Sequence, residues 1–179
     1  MHKPFAALAL SLALASSASA QTGIMLDIHQ SAAEVQKKFA DLAQAIPESA
    51  FAWRPGAGVR SVGEVLLHVA SDNYLIPIGM GKPAPASSGI TSDYKTAAAF
   101  EKRTLTKAQI LAELDASFVH LHQGFNLTTE ANLGEKIKFF GQEWTRSKAA
   151  LLTVTHLHEH LGQLIAYARS NGVTPPWSR

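Results

Sequence analysis

Apolar residues return every three or four positions from Ile28 through Ala32, Val35, Phe39 and Leu42 to Ile46, where Pro47 stops them. That period is the stripe of an amphipathic helix, because 3.6 residues per turn bring such positions onto one face. Pro55, Gly56 and Gly58 then mark a turn. Ser61 followed three residues later by Glu64 has the form of a capping box, in which each side chain satisfies a free amide at a helix start. A second helix is expected from there to about Ile76, with Val62, Val65, Leu66 and Val69 on its apolar side.

A connector rich in Gly, Pro, Ser and Ala follows from Pro77 to about Ser92, and its composition predicts a surface path that could rim a pocket. A short helix is expected from Ser92 through Phe100. Thr106 and Gln109 form a second capping box, and Ile110, Leu111, Leu114, Phe118, Leu121 and Phe125 continue with helical period as helix three. Between Gly134 and Gly141, Ile137, Phe139 and Phe140 stand among lysines in an extended pattern that suits a short hairpin strand, with no evident partner. The last periodic segment begins near Thr145 and ends at Asn171-Gly172, with Pro175 and Pro176 beyond, as helix stops require. Four amphipathic helices without a convincing sheet predict an all-α, up-and-down four-helix bundle.

The first twenty residues read differently. Lys3 opens a short basic start, Phe5 to Ala15 is apolar, and Ala18-Ser19-Ala20 is a small-x-small cleavage signal, the three parts of a secretory signal peptide. Residues 1–20 are therefore expected to be removed and residues 21–179 to form one domain, periplasmic or secreted, with no membrane attachment after cleavage. The apolar run falls short of the ~20 residues a membrane span requires. The leader carries one cation and no acid, so its loss lowers the formal charge from +2 to +1. A chain so balanced is a poor partner for nucleic acid, which is bound by neutralising phosphates. With no cysteine, the chain has no disulfide, and any metal site uses nitrogen and oxygen ligands.

The histidines carry the chemistry. His156-Leu157-His158-Glu159-His160 alternates, but Leu157, Leu161, Leu164, Ile165 and Ala168 fix a helical period. His156, His160, Gln163 and Tyr167 then form a row bordering the core stripe, while His158 and Glu159 point to solvent. Side chains four apart on a helix lie ~5–6 Å apart at Cβ, close enough for two imidazoles to share one ion at ~2.0–2.1 Å each. On helix two, Glu64, His68 and Asp72 make a similar row, with Glu64 already occupied as a cap. His68 can face the bundle interior, and His122 on helix three is a second candidate for third ligand. His120 and His29 are expected at the surface. A hydrogen-bonded core histidine or a solvated helix face is the bland alternative for each.

Ser61-Val62-Gly63-Glu64-Val65-Leu66-Leu67-His68-Val69-Ala70 and His156-Leu157-His158-Glu159-His160-Leu161-Gly162-Gln163-Leu164 resemble the two signature helices of the DinB-like superfamily. Trp53-x-Pro55 before helix two and the Gly162-Gln163 pair strengthen the resemblance, which spans most of the chain beyond the leader. It implies a four-helix bundle whose metal ligands are His68, His156 and His160. The superfamily includes thiol-dependent transferases and isomerases, probable hydrolases and proteins of unknown role; the export signal sets this chain apart from the branch that uses cytosolic thiols.

Three neutral imidazoles suit zinc or nickel, and also iron or copper. Metal-assisted hydrolysis or group transfer on a small organic molecule is the expected activity, with Asp72 taking a proton or holding a ligand histidine by a hydrogen bond. Gln163 is expected to orient substrate or water, and Tyr167, Trp144, Tyr94 and Trp53 to supply apolar walls. Two other readings stand beside this one. The chain can be a non-catalytic stress protein that sequesters a metal or ligand, closed by a fourth protein ligand such as His122. It can also be an association module pairing as a homodimer, as the resemblance allows.

Overall fold

The computed structural model describes residues 23–178, so the expected leader and its cleavage after Ala20 lie outside the described residues. Four long helices form: α1 (Ile24–Ala45), α2 (Val62–Gly79), α4 (Lys107–Phe125) and α5 (Arg146–Ser170), with a short α3 (Tyr94–Glu101) between α2 and α4. Both predicted capping boxes are present. Ser61 Oγ accepts from the amide of Glu64, and the amide of Ser61 donates to Glu64 Oε2 at 2.7 Å; Thr106 and Gln109 repeat the arrangement at α4.

The stripe of α1 is buried as its period requires, with Phe39 and Leu42 fully enclosed. Each such side chain contributes roughly 1.5–3 kcal/mol by leaving water. In contrast, α2 is buried on almost every side, including Ser71, Asp72 and Asn73. The cause is its position: α3, α4 and α5 all pack against it.

Helix directions follow from the contacts. Lys107 Nζ at the start of α4 donates to the carbonyls of Gln44 and Ile46 at the end of α1, so these two helices are antiparallel. Arg146 at the start of α5 donates to the carbonyl of Met80 at the end of α2, at 2.9 Å. Gly63 faces Ile110 and Gly124 faces Pro77, so α2 and α4 run parallel. The expected alternation thus holds from α1 to α2 and from α4 to α5. Between α2 and α4 the long connector carries the chain back along the bundle, which a simple up-and-down order does not do.

Helix α2 runs three residues past Ile76, because a proline in the last turn removes only one ladder bond. Gly81, at φ 92°, closes it: the amide of Lys82 reaches the carbonyl of Pro77 at 2.8 Å, the bond of a Schellman ending. The extended segment finds a partner in the lead-in to α5. Strand β1 (Lys136–Phe139) pairs antiparallel with β2 (Gln142–Thr145), with Ile137 opposite Trp144. Phe140 and Gly141 at the turn both have positive φ, 48° and 72°, as a two-residue hairpin of this hand demands. Among the described residues no helix is long and apolar enough to cross a membrane.

Candidate metal centre

Helix α2 brings His68 and helix α5 brings His156 and His160 to one point. The Nε2 atom of His156 lies 3.2 Å from that of His68 and 3.0 Å from that of His160. Ligands at ~2.05 Å from one ion would stand ~2.9 Å apart at right angles and ~3.3 Å apart at tetrahedral angles. The observed separations fall between those limits. Ring planes cross at 70° to 81°, so no two imidazoles stack and all three converge by their edges.

Two of the rings are held from behind. The Nδ1–H of His68 donates to Glu101 Oε1 at 2.7 Å, and the Nδ1–H of His160 donates to Gln163 Oε1 at 2.8 Å. Because a carboxylate or amide oxygen accepts, each bond places the ring proton on Nδ1 and leaves the Nε2 lone pair facing the centre. The supports are themselves anchored. Arg60 Nε donates to Glu101 Oε2 at 2.9 Å, and Gln163 Nε2 donates to the Tyr167 hydroxyl at 2.9 Å. Three lone pairs aimed at one another repel unless a cation lies between them, so the donor set fits a divalent ion of borderline softness.

Burial keeps the rings of His156 and His160 neutral. Desolvation, with the neighbouring imidazoles second, lowers the His156 pKa to about 3, and desolvation also lowers that of His160. Asp72 sits at the same centre, with Oδ2 3.2 Å from His156 Nε2 and 3.6 Å from His68 Nε2. Desolvation raises its pKa to about 6. Its contacts are with the inward nitrogens, so the work of holding a ligand ring from behind, considered for Asp72, falls to Glu101. Sequence reasoning did not single out Glu101, which stands 33 residues from His68 on a separate helix.

The other candidates lie elsewhere or act otherwise. His122 bonds to Gln36 at 2.9 Å and stacks on His29, so it is no fourth ligand. His29, expected at the surface, is half-buried against His122 and Phe125 because α1 and α4 pack closely at that end. His120, also expected exposed, is 4% accessible: α4 packs against both α1 and α2, which widens its buried arc beyond one stripe and sets His120 against Tyr74. His158 and Glu159 face solvent as their position predicts, and Glu64 serves as a cap. Gln163 turns its amide to His160 and Tyr167, which occupies the groups expected to orient substrate.

Trp53 packs edge-on to Tyr167 near the centre, at 5.3 Å between centroids. Trp144 belongs to the hairpin, against Phe139. Tyr94 lines a separate apolar cavity with Gly79 and Phe139. Gly79 is eleven residues beyond His68, or about 16 Å of helix rise, so those two aromatics are not walls of the metal centre.

Solved structures share this architecture. A DinB-like protein from Bacillus cereus ATCC 10987 is 20% identical, with 83% of this chain and 93% of that one aligned and a TM-score of 0.65. YfiT from Bacillus subtilis, described as a probable metal-dependent hydrolase with an unusual four-helix bundle topology, is 16% identical, with 97% and 95% aligned and a TM-score of 0.64. A mycothiol-dependent maleylpyruvate isomerase is 14% identical, at a TM-score of 0.62, with 78% of this chain aligned to 60% of that one. No curated protein sequence matches the chain. The sequence profile described as the DinB superfamily matches residues 32–164, from within α1 to within α5, and the chain belongs to that superfamily.

Proposed function

We propose that the protein is an exported metal-dependent enzyme that hydrolyses, or transfers a group from, a small organic substrate. His68, His156 and His160 hold a divalent ion, zinc or nickel, and Asp72 is the general base. The observation that carries this reading is the convergence of three Nε2 atoms, with spacings of 3.0 and 3.2 Å, in front of two rings whose outer nitrogens are already engaged.

When bound there, such an ion supplies Lewis acidity towards a carbonyl or a water. The chain's own groups do the rest. Asp72 Oδ2 takes the proton of the attacking nucleophile; burial raises its pKa to about 6, which leaves it ionised at neutral pH. Glu101 and Gln163 keep the rings of His68 and His160 from turning. The buried walls of α2 and α5 exclude bulk water around the reacting atoms.

One observation favours a second reading, in which the protein sequesters metal without turnover: Asp72 Oδ2, 3.2 Å from His156 Nε2, stands where a fourth ligand would close the site. Metal analysis of the mature protein with and without His160→Ala tests the shared premise. Stoichiometric metal in the parent and little in the variant is expected, and equal contents would refute the site. A panel of ester, amide and thiol-transfer substrates then separates the enzyme from the sequestering protein. Export rests on Lys3, the apolar run to Ala15 and the Ala18-Ser19-Ala20 signal; a periplasmic protein beginning at Gln21 is expected on N-terminal sequencing.

A further inference from the structure

Beside the metal centre, between the approach to α2 and the end of α3, lies a cleft of about 570 Å³. Its charged lining is Arg54, Arg60, Lys102, Glu64 and Glu101, with Gln163 completing it. The three cations come from two distant stretches of sequence and meet only in the fold. Two of them are partly engaged: Arg60 Nε with Glu101 at 2.9 Å, and Arg54 Nη1 with Glu64 at 3.1 Å and the Val59 carbonyl at 2.8 Å. A guanidinium has five N–H donors, so each arginine keeps donors beyond these contacts. Lys102 is exposed and, among the described residues, stands in no ion pair. The cleft therefore carries one more positive charge than negative, with unused donors of the planar kind that suit a carboxylate.

Position gives the charge a purpose. Glu101 and Gln163 line this cleft and are also the residues that hold His68 and His160. An occupant thus lies against the supports of the metal centre. The apolar cavity near Tyr94 and Phe139 offers no comparable link, being at the other end of α2.

We propose that this cleft is the anchor for the substrate's anionic group, and that the substrate is a small molecule bearing a carboxylate distal to the reacting bond. Arg54 and Lys102 bind that carboxylate, while the terminal nitrogens of Arg60 share it and its Nε keeps Glu101 in place. The substrate class rests on the metal-centre reading for where the reacting end goes, but binding in the cleft does not.

The test uses benzoate and its neutral isostere benzamide, titrated calorimetrically into the full mature protein, with metal content measured on every sample. Benzoate is expected to bind at least about tenfold more tightly than benzamide, and the Arg54→Gln/Lys102→Gln double variant to lose about that factor for benzoate alone while retaining its metal. Lys102→Gln by itself, at an exposed position, is expected to give a smaller loss in the same direction and covers the case of a double variant that folds poorly. Equal binding of the two probes, no binding of benzoate, or variants with undiminished benzoate affinity would overturn the proposal. The last result with metal present would mean that the ion, not the cleft, holds the anion. If the parent holds no metal but benzoate shows the expected charge dependence, the metal reading fails and the cleft stands.

Discussion

Glu101 Oε1 stands 2.7 Å from Nδ1 of His68, so the last residue of the short connector helix fixes a ring that α2 presents to the metal centre. A carboxylate in that place orients the imidazole and raises its basicity as a ligand. Glu101→Gln keeps an oxygen acceptor and loses the charge; Glu101→Ala loses both. Metal affinity is expected to fall about 10- to 100-fold in the alanine variant and less in the glutamine one. Competition against a chromophoric chelator measures this, and an alanine variant with parental affinity would remove Glu101 from the site.

Gln163 plays the matching part for His160. Its amide accepts from Nδ1 at 2.8 Å and donates to Tyr167 at 2.9 Å. Gln163→Ala frees the ring, whereas Tyr167→Phe leaves the bond to His160 intact. The first is expected to weaken metal binding by roughly tenfold and the second by much less. Equal losses in the two variants would show that the tyrosine hydroxyl, rather than the amide, does the positioning.

Asp72→Asn separates the two readings of the centre. As general base, Asp72 contributes to turnover, and its loss is expected to lower kcat by about 10²- to 10⁴-fold with metal content unchanged. Should the variant lose its metal together with its activity, Asp72 belongs to the ligand set and the sequestering reading gains. Metal content and kcat measured on one preparation decide it.

The capping box at α2 titrates. The amide of Ser61, and to a lesser degree Arg54, hold the Glu64 carboxylate below its ordinary value of 4.5. A carboxyl depressed on folding stabilises the native state above its ordinary pKa, and that contribution is lost as pH falls through the lower native value. Glu64→Gln retains an acceptor for Ser61 but not the charge. Urea denaturation is expected to show the parent more stable than the variant at pH 7, with the gap narrowing at pH 3. A gap of constant size at both pH values would mean that the charge contributes nothing.

The parallel pair α2 and α4 depends on a small residue. A Cβ on Gly124 would come 2.6 Å from Cβ of Pro77, well inside van der Waals contact. Gly124→Ala is therefore expected to destabilise the protein by about 1–3 kcal/mol as the helices are forced apart, despite alanine's better helix propensity. An unchanged urea midpoint would argue against so close an approach.

The sequence made the helices legible because their signals are local. The Ser61–Glu64 and Thr106–Gln109 boxes sit within four residues, and the stripe of α1 needs only its own period. Helical spacing made His68 and His122 candidates for the third ligand, and the resemblance chose His68, since no local pattern joins residues 88 apart. Glu101 was hidden for the same reason, as was the grouping of Arg54, Arg60 and Lys102. His120 was misplaced because a single apolar stripe underestimates how much of α4 is covered when two long helices lie against it. The partner of β1 escaped notice because Gln142-Glu143-Trp144-Thr145 lacks an apolar alternation and looks like the approach to a helix.

Two of the three rings are paired as soon as α5 winds, since His156 and His160 are a single turn apart, whereas the third arrives only when α2 docks. An ion shared by all three is therefore a clasp across the bundle. Whatever binds only the closed form adds RT ln(1 + [L]/Kd) to its stability, about 2.7 kcal/mol at a hundredfold excess over Kd. The melting temperature of the whole molecule should then follow the free metal concentration, which makes thermal stability a gauge of occupancy even before any substrate is known.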